Sequence, residues 1–207
     1  MRSSTTFLLV LIMCFRGFSQ QPPTTPTVPK KQTLTLSFGA GIPQSRDGIT
    51  RFWDMGPSGS AKFMVNVSKP VSFGVGIDAA LLKFNESAFR FAFPDVVVRA
   101  QNVVMADVYI AMKCALMPSM RFSPFVAATI GATHISEAIY GDVIDSVRVT
   151  YYSIPGRSRL TIGVSAGTDL YLARWVTFEL EAKANYVHND PDLGVASFIR
   201  GGFRFTL

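Results

Sequence analysis

Alternation of apolar and polar residues with a period of two, repeated along residues 33–207, constrains this chain more than any other feature. Over 33–42, Leu34, Leu36, Phe38, Ala40 and Ile42 alternate with Thr33, Thr35, Ser37, Gly39 and Gly41. A period of two sends successive side chains to opposite faces of a β-strand. The same pattern returns over 60–68, 71–82, 104–117, 159–171, 175–186 and 194–207. A further strand over 122–136 alternates poorly, and its faces are not assigned by the pattern. No segment shows a helical period. The reading is eight strands, most of them ten or more residues long. Strands that cross a bilayer at a tilt need ~9–11 residues, whereas strands of soluble domains usually have ~5–6. The connections differ in length by side. Those after the second, fourth and sixth strands are a few residues; those over 43–59, 83–103 and 137–158 are long, and 187–193 is intermediate.

Two architectures accommodate such a pattern: a membrane barrel, or a soluble secreted barrel with a ligand chamber. Hydropathy does not separate them. Only 16% of residues are charged and 48% are apolar, yet the longest apolar run, 7–15, is far below the ~18 residues of a spanning helix. The content of the polar face separates them better. It holds glycines and serines with Lys62, Asp78, Asp107, Lys113, Asp169, Glu179, Glu181, Lys183, Arg200 and Arg204, five acids against five bases. An outer surface in water would carry more Lys and Glu and fewer Gly. An eight-stranded barrel encloses only enough room for side chains, and charges sealed there must be paired. Glu179 and Glu181 therefore are expected to pair with Arg200 and Arg204 across the last two strands. The opposite face, rich in Leu, Val, Ile and Phe, suits hydrocarbon, where a central Lys or Arg costs ~2–4 kcal/mol. Phe122, Tyr171 and Trp175 fall near short turns, where an aromatic interfacial girdle belongs. Closure would pair the first strand with the last and leave no open edge, as lipid requires.

Residues 1–19 read as a signal peptide: Arg2, the apolar run 7–15, then Gly17 and Ser19 ahead of a cut before Gln20. Residues 20–32 (QQPPTTPTVPKKQ) read as an extended Pro/Thr-rich linker, and 33–207 as the barrel domain. Loss of the leader leaves Cys114 as the one cysteine, which excludes an intrachain disulfide framework. The net charge of +6 is spread without any five-residue basic cluster, so nucleic acid is not an expected partner.

The leader, the eight alternating strands and the terminal Gly201-Gly202-Phe203-Arg204-Phe205-Thr206-Leu207 resemble the small outer-membrane β-barrels of Gram-negative bacteria, the OmpX, OmpW and OmpA-barrel type with PorT-like proteins. That resemblance implies an integral protein of the cell outer membrane, in contact with outer-membrane lipid and lipopolysaccharide and delivered by the barrel-insertion machinery. The family often ends in a terminal Phe that this machinery recognises. Here Leu207 is last, with Phe203 and Phe205 at alternate positions.

Chemistry-bearing motifs are few. His134-Ile135-Ser136 puts a candidate base and nucleophile on one strand face and is similar to the His-x-Ser of barrel-type lipid A deacylases; Glu137 follows where that family commonly has Asn. The reading without catalysis is a polar strand end. His188 with Asp190 and Asp192 reads as a solvated loop, and no metal, cofactor or catalytic residue is assigned. The long segments carry Trp53, Phe89, Phe91 and Phe93. Exposed, they would form a surface for an extracellular or envelope protein partner. Packed on one another, they would simply extend the strands. The expected function is structural or interactive rather than enzymatic.

Overall fold

Every alternating stretch forms a strand, and the strands close on themselves. The computed structural model describes residues 31–44, 52–92, 102–145, 148–188 and 194–207. The signal peptide, nearly all of the linker and Phe93 lie outside the described residues. The chain runs β1 (Gln32–Gln44), β2 (Trp53–Asp54), β3 (Gly56–Asn66), β4 (Val71–Phe84), α1 (Glu86–Ala92), β5 (Val103–Ala115), β6 (Phe122–Ile135), β7 (Ala138–Asp145), β8 (Arg148–Ile154), β9 (Arg157–Ala173), β10 (Val176–Val187) and β11 (Val195–Thr206). Eight of these, β1, β3, β4, β5, β6, β9, β10 and β11, are the staves of an antiparallel barrel. Each is hydrogen-bonded to the next, β1 pairs with β11, and β4 pairs with β5, so no stave has a free edge. The seam starts at Thr33 opposite Thr206, and the Leu207 amide donates to the Gln32 carbonyl at 2.9 Å.

Three features depart from the expected pattern. β3 begins at Gly56, four residues early, because Gly56 to Ser60 continue the ladder with β1. The long segment after β6 folds into a separate hairpin, β7 with β8. The segment after β4 contains α1, only seven residues and too short to show a helical period. Its first turn is closed by the Asn85 side chain, which accepts from the Ala88 amide at 2.9 Å, and Glu86 meets Arg90 at 2.6 Å one turn on. In β6, the odd-numbered Ser123, Phe125, Thr129, Thr133 and Ile135 point inward. Pro124, Gly131 and the small Ala127 and Ala128 blur the alternation there.

Sidedness is inverted relative to a soluble protein. Phe38 is 75% exposed and Ile110 61%, while Arg200 and Asp78 are each 1% exposed. The apolar rungs face outward and the ionic rungs face the lumen. This arrangement sets aside the soluble ligand-binding barrel, which needs its apolar face inside. An exposed apolar belt encircling a closed sheet is a surface built for lipid.

Candidate functional site: the sealed lumen and its loop mouth

All ten charged residues of the polar face are gathered in the lumen. Their order along the strands creates a conflict that only closure resolves. Asp169 on β9 lies directly opposite Glu179 on β10, and Asp78 on β4 lies opposite Asp107 on β5. Like charges at opposed positions repel. Cations from other staves bridge the first pair, while in the second cations meet Asp78 and an amide meets Asp107. Lys113 on β5 reaches Asp169 at 3.0 Å and Glu179 at 2.6 Å. Arg204 on β11 meets the same two carboxylates at 2.8 and 3.7 Å. Lys62 on β3 meets Glu179 at 2.5 Å and Glu181 at 3.0 Å. Arg200 lies opposite Glu181 in the β10–β11 ladder, 3.3 Å away, and also contacts Asp78 at 2.7 Å. Lys183 reaches Asp78 at 2.7 Å, and the Asn185 amide donates to Asp107 at 2.5 Å. The β10 and β11 residues Glu179, Glu181, Arg200 and Arg204 thus meet as the strand order suggests, inside a larger network that ties six staves together.

Aromatic side chains fill what the charges leave. The Tyr109 hydroxyl donates to Asp78 at 2.8 Å, and Lys183 Nζ sits 3.6 Å above the Tyr109 ring centre. Lys113 Nζ sits 3.6 Å above that of Phe125. Tyr109 fits because the facing residue across the ladder is Gly76: a Cβ there would lie 2.5 Å from the ring. Thr133 and Thr161 share a hydroxyl contact nearer the loop end. The network surrounds a cavity of about 20 Å³, lined in part by Lys62, Tyr109, Lys113 and Glu179. That is room for a water molecule or two, not for a solute.

At the end carrying the long segments, the lumen changes character. Phe52, Trp53, Leu82, Phe89, Met105 and Phe198, with smaller apolar neighbours, form a buried cluster across the mouth. Phe89 of α1 meets Phe52 edge-on at 5.1 Å and Phe84 at 5.5 Å; Trp53 meets Phe84 at 5.6 Å. Trp53 and Phe89, expected among exposed contact residues, are therefore buried parts of a plug. The physical reason is local: inward-facing Leu82, Met105 and Phe198 at the strand ends offer an apolar floor, and the first turn of α1 drops Phe89 onto it. Phe91, two residues on, points away and is 93% exposed. The sequence signal for the plug was the apolar character of the last inward positions of β4, β5, β6, β10 and β11.

No protein-family model matches this sequence, and no curated protein matches it. Solved structures match by shape. Neisserial surface protein A (NspA) superposes with a TM-score of 0.56 at 10% identity, over 86% of this chain and 97% of that one. A major outer membrane protein from Thermus thermophilus gives 0.57 at 9%, over 85% and 99%. Ail, the attachment invasion locus protein of Yersinia pestis, gives 0.50 at 11%, over 85% and 97%. The chain folds as a small outer-membrane β-barrel.

On this barrel, the His134 and Ser136 side chains each bond elsewhere. His134 Nδ1 lies 3.0 Å from Ser158 Oγ on the neighbouring β9, its ladder partner. Ser136 Oγ instead accepts from the Val104 amide at 3.0 Å. Among the described residues no three His, Cys, Asp or Glu side chains gather as metal ligands.

Proposed function

We propose that this protein is an integral barrel of a Gram-negative outer membrane, acting without catalysis as an envelope or surface-interaction component, with its long segments outside the cell. The observation that carries this reading is the double seal. The mouth is closed by an apolar plug and the shaft by charges around a cavity of about 20 Å³, too small, among the described residues, for a solute. What remains available to partners is the loop end, where Phe91 and Met55 are exposed beside α1 and β2. Among proteins sharing the fold, NspA is a surface protein and Ail an attachment invasion locus protein, which accords with a role at the cell surface. Lipopolysaccharide and the barrel-insertion machinery are the partners such a location supplies.

Labelling decides orientation. A Phe91→Cys variant should react with a membrane-impermeant maleimide on intact cells, and a Ser119→Cys variant only after permeabilisation; the reverse pattern overturns the proposed topology. Lipid A mass distributions should be identical with and without the protein. Loss of an acyl chain that disappears in a His134→Ala variant would replace this reading with the deacylase one.

A further inference from the structure

The charges outside the lumen are segregated by end. Of the fourteen acids, five lie in the lumen and nine in the segments 45–55, 83–102, 136–158 and 188–193, which join the staves at the loop end. Those segments, with Arg159, hold eight cations. The turn end has no Asp or Glu side chain. It has Lys31 at the start of β1, Lys69 in the β3–β4 turn, Arg121 in the β5–β6 turn and Arg174 in the β9–β10 turn, all exposed. With the lumen balanced and the segments of the loop end close to neutral in sum, the positive surplus of residues 31–207 is carried by these four positions, one on each of the three connections of that end and one at the start of β1. Beside them lies an aromatic border. Trp175 is 61% exposed and stacks on Phe205, and Phe122 faces outward at the foot of β6. Aromatic rings of this kind mark the interface between acyl chains and headgroups, so the cations stand at headgroup depth, where long side chains reach phosphates.

We propose that the turn end is a binding ring for anionic glycerophospholipids, gathering headgroups of net negative charge, such as phosphatidylglycerol, around the barrel foot in preference to zwitterionic ones. The proposal rests on the membrane-spanning reading above. A ring without acids attracts anionic headgroups from all sides, each Lys or Arg contributing about a fivefold preference when close to the surface. Headgroup exchange and salt reduce the combined effect to a value near that of one such residue.

Trp175 supplies the test. A Trp53→Phe background leaves Trp175 as the single tryptophan among residues 31–207, and retention of the heat-sensitive gel shift certifies a folded barrel. The protein is reconstituted in vesicles of equal phosphatidylcholine and phosphatidylglycerol, with brominated acyl chains on one lipid or the other. Quenching of Trp175 by brominated phosphatidylglycerol should exceed that by brominated phosphatidylcholine about threefold. The preference should vanish in a Lys69→Gln, Arg121→Gln, Arg174→Gln variant and survive in the charge-keeping Lys69→Arg, Arg121→Lys, Arg174→Lys variant. Equal quenching by both lipids overturns the ring while leaving the membrane barrel intact. A preference that persists in the glutamine variant also overturns it. No quenching by either lipid removes the membrane reading itself.

Discussion

Replacing Lys113 with Met removes the cation that separates two opposed carboxylates. Lys113 lies 3.0 Å from Asp169 and 2.6 Å from Glu179, with its ammonium over the Phe125 ring. At an effective dielectric of ~20, each contact is worth about 5–6 kcal/mol of gross Coulomb attraction. Most of that only offsets the removal of three charges from water, several kcal/mol for each. The loss on substitution is therefore governed by what stays behind: Asp169 facing Glu179 in the β9–β10 ladder, with Arg204 and Lys62 left to neutralise them. Five acids would then face four bases in a closed lumen. Breaking a buried pair from one side costs about 3–5 kcal/mol, and Lys113→Met should fall in that range. Adding Asp169→Asn returns the lumen to four against four and should recover at least half of the loss. The assay is equilibrium unfolding by guanidinium from lipid vesicles, followed by tryptophan emission and by the mobility of unboiled samples. A single-variant loss below about 1 kcal/mol, or a double variant no more stable than the single, would refute the claim that charge balance in the lumen holds the staves together.

Other consequences follow from the same geometry. Ile110→Lys, at a position 61% exposed on the outer wall, should cost about 2–4 kcal/mol in vesicles; stability unchanged from wild type in the same titration would contradict a lipid-facing belt. Gly76→Val drives a side chain into Tyr109, whose ring lies 2.5 Å from the added Cβ. A loss of about 1–3 kcal/mol is expected, with Gly76→Val/Tyr109→Ala closer to Tyr109→Ala alone than additivity predicts. Phe89→Ala empties the centre of the plug and should cost about 3 kcal/mol or more of local stability, read as faster amide exchange across α1 while the staves keep their protection. Uniform loss throughout the barrel would show instead that the plug and wall unfold as one unit.

Fold and site were legible in the sequence to different depths. Strand number and the inward and outward sets follow from alternation, because a residue's face depends on nothing but its place in the strand. In β10, reading every second residue from Thr177 to Asn185 already gives the lumen rung by rung. β6 resisted because Pro124, Gly131 and its alanines carry little polarity contrast, and its faces emerged only when β5 and β9 bracketed it. α1 and the β7–β8 hairpin were hidden inside segments that read only as long. Trp53 and Phe89 were recognised as aromatic but not as buried, since burial there depends on strand ends supplied by β4, β5 and β11.

The sequence alone determined that ten charges would share one face of the sheet and the apolar residues the other, since the period of two is a local property of the backbone; which face is the interior was decided by closure. Which acid meets which base was decided by the tertiary structure. Lys113 finds Glu179 at a sequence separation of 66, and Arg200 finds Asp78 at 122. Such pairings depend on stagger and closure, and those exist only once β1 has met β11.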